Sequence, residues 1–478
     1  MKRPGKWSIL VLLILGGFIA GVLVGCAPAQ EPLSTSQQQE TTASSAPAPA
    51  PVSPKPIVVE VNRNVGAINP SNSLAITRGM DEVAQECIDC HKDETPGIVN
   101  DWRESRHGHV GVSCLDCHMV NKDDPTATQH ETLIGTDTYI STLVPPSRCA
   151  ECHPNEAEEF DHSGHHRAAL QVEGKDAMQT LIHHHEGQDH PELNNATQET
   201  GCMQCHGIRI ELDAEGNPTP DTWPSAGIGN IYPDGSVGNC TVCHTRHKFS
   251  IAEARKPEAC ASCHLGPDHP DIEIYENTKH GQIYAAEGAT WKWDSAPDAW
   301  EPGDYRAPTC ATCHMSGIGE LSTTHNVSER LYWNLWGKRS SVRNSNDPMS
   351  PLTGDGEKGR AKMKMVCTQC HSERMTDSYF SHGDKAVKLY NESYYDPALA
   401  MLNDLKEKGL LKKNPWADEF QKIYYHLWHH QGRRARQGAM MGAPDWAHWH
   451  GFFELQQDLY RMKDIYNYRI ENNKIEEP

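Results

Sequence analysis

Residues 240–244 read Cys240-Thr-Val-Cys243-His244, and this C-x-x-C-H pattern occurs eight times between residues 87 and 371. Two cysteines separated by two residues and followed at once by a histidine form the attachment signal for a c-type haem. The eight copies use every cysteine of the chain except Cys26. In chain order they are Cys87-Cys90-His91, Cys114-Cys117-His118, Cys149-Cys152-His153, Cys202-Cys205-His206, Cys240-Cys243-His244, Cys260-Cys263-His264, Cys310-Cys313-His314 and Cys367-Cys370-His371.

The chemistry of attachment explains the spacing. Two thiols add across the two vinyl groups of one porphyrin, and the adjacent histidine then reaches the iron from the same face. Zinc ribbons would not need a histidine after every pair, and a disulfide scaffold would not keep the two-residue gap throughout. The odd total of 17 cysteines also excludes complete intrachain pairing. The sequence therefore predicts eight covalently bound c-type haems, each with its iron.

The composition fits an interior that is filled by cofactor. The 478 residues carry 44 Lys+Arg against 64 Asp+Glu, a formal charge of −20, which argues against a nucleic-acid partner. Only 37% of the residues are hydrophobic and only 7 are Phe, which is little for the core of so long a chain. Apolar macrocycles would take the place of aliphatic side chains. We expect a mainly α multihaem cytochrome c fold, with short helices and loops wrapped around eight haems, few strands and a C-terminal bundle of long helices.

The start of the chain predicts export. Lys2 and Arg3 precede an apolar run from Trp7 to Gly25, which is the layout of an export signal. The run ends in Leu-Val-Gly-Cys26 and resembles a bacterial lipoprotein box, which implies a lipid on the Cys26 sulfur; an uncleaved anchor is the alternative. The protein is thus expected to be tethered to a membrane, on its periplasmic or extracellular face. The predicted divisions are a signal peptide (1–26), a flexible Pro/Ala/Ser linker (27–56), an octahaem domain (57–383) and a helical bundle (384–478).

Each iron needs either a second axial ligand or an open position. Five histidines follow closely after a Ser or Thr, often with a Gly after them, and such a context lets the backbone come close to a flat ring. His130 is a weaker candidate, as is one member of the His183–His185 run, for which a solvated or metal-binding loop is the alternative. The predicted distal ligands are His107, His165, His280, His325 and His382.

Irons with two histidine ligands can only pass electrons, whereas an enzyme must leave one iron open beneath proton donors. All eight motifs end in His, so the motifs alone do not identify an open iron. Several further stretches, together with the order of the motifs, resemble the octahaem hydroxylamine oxidoreductase family over roughly residues 80–470. These stretches are residues 229–247, Gly266-Pro-Asp-His-Pro270, residues 307–316 and Pro444-Asp-Trp-Ala-His-Trp-His-Gly451.

The resemblance implies where the active site lies. In that family the fourth motif binds the open catalytic haem, here the haem of His206. Asp, His and Tyr side chains lie over its distal face, and the matching residues here are Asp234, His247 and Tyr305. The alternatives are a turn residue for Asp234, a distal ligand of another haem for His247 and a buried packing residue for Tyr305.

One departure from the family pattern bears on the direction of the reaction. Oxidising members carry a C-terminal Tyr that is cross-linked to the catalytic macrocycle of a neighbouring subunit, and this sequence has Trp446 at the expected place. The nearest tyrosines are Tyr425 and Tyr460, which lie about three to five helical turns from the Pro444–Gly451 motif, so neither is expected to substitute. An uncrosslinked haem favours the reductive branch of the family, which forms ammonium from nitrite or hydroxylamine.

The tail after the last motif predicts helices. Asn414-Pro415 is a plausible cap and first position for a helix that continues to His430. A narrow seam of the coiled-coil kind follows, and it predicts either packing within the chain or the trimer that the family forms through this tail. A basic patch between His429 and Arg436 could hold haem propionates or attract nitrite, with a solvated helix face as the alternative. The seam consists of Phe452, Leu455, Leu459, Met462 and Tyr466.

The leading hypothesis is an exported oxidoreductase that reduces hydroxylamine or nitrite to ammonium at the haem of His206, with the other haems as electron relay. Hydroxylamine oxidation, pure electron transfer by eight saturated irons, and reduction of a sulfur compound such as tetrathionate are the alternatives. The expected partners are a small inorganic nitrogen substrate, a redox-partner cytochrome or a quinol-linked donor or acceptor, the membrane, and two further copies of the chain in a homotrimer.

Overall fold

Short helices separated by loops make up the described parts of the haem-motif region (residues 82–333), namely residues 82–172 and 201–333. The computed structural model describes residues 82–172, 201–333 and 356–475, which belong to the unit Ser73–Pro478. The helices of this first region are α1 (Glu82–Glu94), α2 (Pro96–Glu104), α3 (Arg106–Val110), α4 (Cys114–His118), α5 (Pro146–Ala150), α6 (Pro154–Asp161), α7 (Ala168–Val172), α8 (Met203–His206), α9 (Ile251–Arg255), α10 (Glu258–Ala261), α11 (Asp271–Glu276), α12 (Lys279–Glu287) and α13 (Cys310–His314).

The haem motifs themselves favour one helical turn. Positions i, i+3 and i+4 lie on the same face of a helix, so both cysteines and the histidine of a motif point to one side. In α13 the turn is stabilised at its start by reciprocal bonds, since Thr309 N–H donates to Thr312 Oγ1 at 3.0 Å and Thr312 N–H donates to Thr309 Oγ1 at 3.4 Å. In α4 the Asp116 carboxylate accepts from Ser113 N–H at 2.6 Å. These caps fix the start of the turn that presents the motif.

A single small sheet follows the second motif, and no other sheet occurs within the described ranges. Strand β1 (Met119–Val120) pairs antiparallel with β2 (Tyr139–Ile140), with Met119 opposite Ile140. The pairing carries the chain on to Ser141, whose carbonyl lies 2.7 Å from His118 Nδ1. The sheet therefore orients one motif histidine, and the predicted scarcity of strands is confirmed.

Longer helices make up the C-terminal region, residues 356–475. Helix α15 (Glu373–Tyr390) passes through residue 383, where the sequence predicts the end of the octahaem domain. Three π-helical segments, Asn391–Tyr395, His426–Gln431 and His448–Phe453, join successive helices, and such widened turns are frequent at functional sites. The helices are α14 (Gly356–Thr368), α15 (Glu373–Tyr390), α16 (Asp396–Glu407), α17 (Glu419–Tyr425), α18 (Gly432–Met441), α19 (Pro444–Ala447) and α20 (Glu454–Asn472).

The C-terminal helices bury a side-chain core of their own. Leu402, Leu427 and Leu455 belong to a cluster that joins α16, the second π segment and α20. Beside it, the guanidinium of Arg469 makes two bonds of 3.0 and 3.1 Å to the carboxylate of Asp418, and neither side chain has any solvent exposure. The Arg469 guanidinium also donates to the carbonyl of Leu410 at 3.0 Å. A fully buried, bidentate ion pair thus ties α20 to the start of α17.

Two predictions about the tail can be compared with this core. The apolar seam of α20 faces inward, because Leu455, Leu459 and Met462 are buried in the same chain. The seam is therefore used for packing within the chain, which is one of its two predicted uses. The Asn414-Pro415 cap starts only a 3₁₀ turn, Pro415–Ala417, and the longer helix α17 begins later because Asp418 caps it.

Several predictions fall on residues outside the described ranges. These are the signal peptide, the linker and the His183–His185 run. Among the helices that the structure describes, none combines the length and the apolar character needed to cross a membrane.

Candidate haem sites and active site

One connected cavity of about 2980 Å³ runs through the molecule. All eight motif histidines line it, and so does at least one cysteine of every motif. None of the sixteen motif cysteines forms a disulfide with another described residue. The eight motifs thus open into a common space, as they must if their haems are to exchange electrons.

Facing pairs of histidines test whether this space suits haem. A metal–imidazole bond is about 2 Å long, so two imidazoles on opposite sides of one iron have ring centroids about 6 Å apart. Six motif histidines have a facing imidazole at this separation. The pairs are His91–His130 at 6.2 Å, His118–His247 at 6.4 Å, His153–His107 at 6.2 Å, His244–His325 at 6.3 Å, His264–His165 at 6.0 Å and His371–His280 at 6.1 Å. The residues present fit haem iron.

Four of the five predicted distal ligands, His107, His165, His280 and His325, occupy such facing positions, as does the weaker candidate His130. The exception is His382. It is exposed on α15 and does not line the cavity, so the structure does not support it as a ligand. Helix α15 presents Phe380 and Gly383 to the protein interior, and this leaves the intervening His382 on the solvent side.

The three predicted distal catalytic residues are not brought together. His247 faces His118 of the second motif. This position agrees with the alternative predicted for His247, a distal ligand of a haem other than that of His206. Asp234 is an exposed turn residue whose carboxylate accepts from Ser236 N–H at 3.0 Å. Tyr305 is buried against Trp300 with ring centroids 4.4 Å apart. Neither Asp234 nor Tyr305 lines the cavity, and the prediction for all three is corrected accordingly.

Tyr305 is a packing residue of an aromatic cluster. Its hydroxyl is buried and has no hydrogen-bond partner in the structure. Burial, with a smaller contribution from the nearby Cys370 and Cys313 thiols of the seventh and eighth motifs, raises its pKa. The cluster consists of Trp291, Trp293, Trp300, Tyr305 and Ala307.

His206 of the fourth motif has a different environment from the paired histidines. Its Nδ1 lies 3.1 Å from the carbonyl of Ala168, which orients the ring and leaves Nε2 for iron. Within the described ranges, neither His206 nor His314 has an imidazole facing it. Burial lowers the pKa of His206, and the charges of His269, Asp268 and Arg433 also act on the ring. These three residues therefore lie beside the fourth motif.

Asp268 and His269 form the centre of this group. His269 Nδ1 lies 2.8 Å from one carboxylate oxygen of Asp268. The other oxygen lies 3.7 Å from Arg433 Nη1 and 3.9 Å from His429 Nδ1. Burial alone would raise the pKa of Asp268, but the hydrogen bond of His269 and the charge of Arg433 hold it well below its usual value. An ionised, half-buried carboxylate thus orients His269.

His269 also lies 5.9 Å from His264, at the spacing of a ligand pair. The loop between them is closed, because Ile272 N–H donates to the His264 carbonyl at 3.0 Å. A loop this short cannot pass around a macrocycle to its other face. His165, which is far away in sequence, is therefore the better axial partner of His264. His269 is then not needed as a ligand of the sixth-motif iron and lies beside the fourth motif.

The C-terminal helices form the other wall of the His206 pocket. Arg434 Nε donates to the carbonyl of Pro267 at 2.8 Å, and Gln437 Nε2 donates to Asp271 Oδ1 at 2.8 Å. The second Asp271 oxygen lies 2.8 Å from His264 Nδ1. Helix α18 is thereby fixed to the loop that carries Asp268, and the sixth-motif histidine is fixed by the same carboxylate.

Tyr425 is also part of this pocket. Its ring stacks on His429 with centroids 4.5 Å apart. Burial raises the pKa of Tyr425, and charge on Asp268 and on Cys202 of the fourth motif raises it further. Tyr425 lies beside the fourth motif because the tail folds back so that α17 reaches it. That Tyr425 does not substitute for the cross-linking Tyr stays a prediction. Trp446 instead stacks on His450 at 4.6 Å.

The sequence reasoning missed Asp268, His269, His429 and Tyr425 as pocket residues. A signal for the first two was present, since Gly266-Pro-Asp-His-Pro270 stood out as a family-like stretch. An adjacent Asp-His pair in such a stretch is a typical acid–base unit. His429 was marked only as part of the basic patch, and no local signal marks Tyr425, because the proximity of both residues to the fourth motif depends on tertiary folding.

Comparison with known families decides the class of protein. A family model described as seven times multi-haem cytochrome CxxCH matches residues 232–415, and one described as cytochrome c554 and c-prime matches residues 148–227. The chain is a multihaem c-type cytochrome. Its cofactor is covalently bound c-type haem, in agreement with the cavity and its facing histidines.

Curated relatives agree with this assignment. The chain is 26% identical, over 70% of its length, to a probable nitrite reductase-hydroxylamine oxidoreductase fusion protein of Kuenenia stuttgartiensis, of which it covers 39%. It is 23% identical, over 41% of its length, to the multiheme cytochrome MtrA of Shewanella baltica (strain OS185), of which it covers 49%. The cytochrome thus spans less than half the length of these two relatives.

Solved structures share the fold. A hypothetical multiheme protein superimposes with a TM-score of 0.70 at 23% identity, covering 86% of this cytochrome and 100% of that chain. A reducing HAO-like protein complex of Kuenenia stuttgartiensis gives a TM-score of 0.59 at 22% identity, covering 82% and 86%. The predicted multihaem fold is confirmed, and so is the relationship to hydroxylamine oxidoreductase-like proteins.

Proposed function

We propose that this cytochrome binds eight c-type haems and reduces nitrite or hydroxylamine to ammonium at an open iron held by His206. The observation that carries the proposal is the Asp268–His269 pair beside His206, inside the cavity that joins all eight motifs. The six facing histidine pairs would saturate six other irons and restrict them to electron transfer.

The proposed reactions consume both electrons and protons. Reduction of nitrite to ammonium takes up six electrons and eight protons and releases two waters. Reduction of hydroxylamine to ammonium takes up two electrons and three protons and releases one water. The haem of His206 would supply the iron to which substrate binds and through which electrons arrive. The side chains around it would supply the protons.

The Asp268–His269 pair suits proton delivery. A carboxylate that accepts the Nδ1 proton of an imidazole fixes the tautomer and stabilises the protonated ring. His269 can then hold a proton and release it from Nε2 to substrate, while Asp268 keeps its charge. Arg433, 3.7 Å from Asp268, adds a positive charge that favours an anion such as nitrite in the pocket.

The reductive direction is supported by the tail. Trp446 stands where oxidising relatives are expected to carry their cross-linking Tyr, and it packs on His450. A solved neighbour is also described as a reducing protein complex. Hydroxylamine oxidation, which leads towards nitrite instead of ammonium, is the alternative reaction at the same site and is separated from reduction by the assay below.

Electron transfer alone is a second candidate function. The six facing pairs favour it, since saturated irons do no chemistry on substrate, and one relative is described simply as a multiheme cytochrome. In either case we propose that the protein is exported as a lipoprotein, is tethered to a membrane, exchanges electrons with a partner cytochrome or a quinol-linked protein, and assembles as a trimer.

The open iron can be tested on the purified cytochrome. A pyridine haemochrome assay should report eight c haems per chain, and electron paramagnetic resonance should show one high-spin, five-coordinate component that cyanide or nitrite abolishes. A spectrum with only low-spin irons would refute the enzyme and leave the electron-transfer function.

Catalysis is tested by turnover with a strong artificial donor. Wild type should form ammonium from nitrite and hydroxylamine, and Asp268→Asn should lower kcat about 10²- to 10⁴-fold with full haem content. Asp377→Asn, which removes an exposed carboxylate paired with Lys364, is the matched control and should leave kcat unchanged. Faster oxidation of hydroxylamine than any reductive activity would reverse the proposed direction.

A further inference from the structure

The second π-helical segment, His426–Gln431, places three imidazoles between solvent and the His206 pocket. The rings in and next to this segment form two stacked pairs. Tyr425 stacks on His429 and His426 stacks on His430, with centroids 4.5 and 4.8 Å apart. The inner stack is buried, whereas the outer stack begins at an exposed His426. The segment therefore runs from the surface to the cavity.

His429 marks the inner end of this row. It is 5% exposed, lines the cavity and has no hydrogen-bond partner at Nδ1. That nitrogen lies 3.9 Å from the Asp268 carboxylate. A buried, unpaired ring nitrogen next to the carboxylate that orients His269 is costly unless it has a role.

The remaining steps are short. The rings of His429 and His430 have centroids 5.3 Å apart, and those of His430 and His426 are 4.8 Å apart. Imidazole nitrogens at such separations are within reach of a direct hydrogen bond or of one bridging water. Every step from the surface to Asp268 is thus short enough for a proton to pass.

Charged groups flank the row along its length. Glu419, Arg434 and Lys422 act on His426. His430 is influenced by Asp268, Arg434 and Arg433, and His429 by Arg433, Asp268 and His269 as well as by His430. The row therefore has Glu419, Arg434 and Lys422 near its outer end and Arg433 and Asp268 near its inner end.

We propose that His426, His430 and His429 form a proton-entry route that delivers protons from solvent to the Asp268–His269 pair. The proposal rests on the proposed function, because a reductive reaction consumes protons at a buried site. In each step one ring nitrogen accepts a proton while the other nitrogen releases one to the next group. Only N–H bonds of the rings and O–H bonds of Asp268 or of a bridging water are made and broken, and no electron moves along the route.

The state of the rings suits such a relay. Burial lowers the pKa of His426, lowers that of His430 to about 3, and holds that of His429 well below its usual value. At neutral pH each ring is therefore neutral and has one donor and one acceptor nitrogen. A neutral imidazole passes protons without trapping one, whereas a charged ring would hold it.

His426→Ala tests the route, because His426 is the exposed outer end of the row and has no contact with Asp268 or His269 among the described residues. We expect nitrite turnover with an artificial donor to fall about 10- to 100-fold and its solvent deuterium isotope effect to rise. The Kd of nitrite, measured by absorbance titration of the haem, should stay within about twofold of wild type. Added imidazole should restore part of the lost turnover, since it can enter the exposed gap and carry protons.

His448→Ala is the matched control, because His448 is an exposed histidine on the next π segment and does not line the cavity. It should behave as wild type and show no response to imidazole. His430→Gln should match His426→Ala in turnover but resist rescue, because its site is half-buried.

The outcomes separate the route from the function on which it rests. Wild-type turnover with no effect of His426→Ala would overturn the route and leave the function standing. Loss of nitrite binding or of haem in His426→Ala would make the residue structural and would also overturn the route. Absence of turnover in wild type would refute the proposed function, and the route with it.

Discussion

The haem-motif region and the C-terminal region fill their interiors in different ways. Between residues 82 and 333 the centre is a cavity lined by motif histidines and cysteines, and the buried clusters at its edge are small. Between residues 390 and 465 the centre is a continuous cluster of Leu, Tyr, Phe and Trp side chains, in which Leu427, Trp428 and Leu455 have no solvent exposure. One region depends on cofactor for its core and the other on side chains.

This difference explains the composition of the chain. Burial of apolar surface is the main favourable term in folding, at about 25 cal/mol per Å². The C-terminal helices obtain it from their own residues, whereas the haem-motif region obtains it from macrocycles that are absent from the amino-acid count. A low hydrophobic fraction therefore does not indicate a weak fold here.

Withholding haem should have the largest effect on the difference between the two regions. A chain produced without haem attachment should lose much of its helical circular dichroism, and proteolysis should cut within residues 82–333 at least about tenfold faster than in the mature protein. The reason is that an unfilled cavity removes the contacts that hold the short helices. Cleavage sites, mapped by mass spectrometry, should be fewer in residues 373–472. Equal sensitivity of both regions would show that the C-terminal core also depends on haem.

The next largest effect should come from the buried ion pair of the C-terminal core. Arg469→Met leaves Asp418 charged and unpaired, and it should lower the free energy of unfolding by about 3–5 kcal/mol, measured by urea denaturation of the C-terminal helices. Arg461→Met is the control, since Arg461 pairs with Glu419 at the surface and should contribute less than about 1 kcal/mol. A small effect of Arg469→Met would mean that α20 is held by apolar contacts alone.

Matched leucine truncations sharpen the contrast between the two cores. Leu427→Ala should cost about 2–5 kcal/mol, because it opens a cavity among well-packed side chains. Leu143→Ala should cost less, because Leu143 belongs to a small cluster with Ile210 and Tyr232 at the edge of the haem-motif region. Thermal unfolding of both variants in the mature protein measures the difference. Equal losses would show that side chains contribute as much to the haem-motif core.

The pH dependence of the C-terminal core should be smaller still. Burial alone would raise the pKa of Asp418, but the hydrogen bonds and charge of Arg469 hold it below its usual value. The resulting stability is present above the unfolded pKa, near 4, and is lost as the pH falls through the lower folded pKa. Asp418→Asn should therefore destabilise strongly at pH 7 and progressively less below pH 4. A constant difference between the two proteins across this range would contradict the assignment.

The smallest expected change concerns Tyr425, where the two regions meet. Since Trp446 replaces the expected cross-linking Tyr, we predict an ordinary c haem at His206 and a single chain on a denaturing gel. Tyr425→Phe should leave the haem spectrum and the intact mass of the haem-bearing chain unchanged apart from the lost oxygen. A denaturation-resistant trimer, or a spectral change in the variant, would reveal a covalent bond at this tyrosine.

Much of the haem-motif region could be predicted because its signals are local. The C-x-x-C-H spacing fixes one helical face, and a Ser or Thr before His107 or His280 marks a helix start that brings the ring to a neighbouring motif. In α12 the Thr278 hydroxyl accepts from Gly281 N–H at 3.0 Å, so the hydroxyl also caps the helix, a role that the sequence analysis did not predict. The same local context gave an unsupported prediction for His382. This residue lies in the middle of α15, where the packing of the helix decides which side chains face the solvent.

The pocket beside His206 was harder to predict because its parts come from distant segments. The bond between Arg434 and Pro267 joins residues 167 positions apart. Asp234 and Tyr305 were chosen by resemblance of short stretches, and such stretches do not reveal which side chains enter a cavity. The Asp268–His269 pair was visible in the sequence, but only its contacts with α18 and the π segment give it a role.

The bonds from Arg434 to Pro267 and from Gln437 to Asp271 also impose an order on biogenesis. A chain is synthesised from its N-terminus, and earlier segments begin to fold first. The wall formed by the second π segment and α18 is therefore made after all eight attachment motifs have emerged. Haem insertion at the fourth and sixth motifs must precede docking of this wall, because the docked helix covers the loop that follows the sixth motif and borders the pocket of the fourth. Closure by the tail is thus a final maturation step, and a chain truncated before residue 426 would carry its haems with that pocket still open.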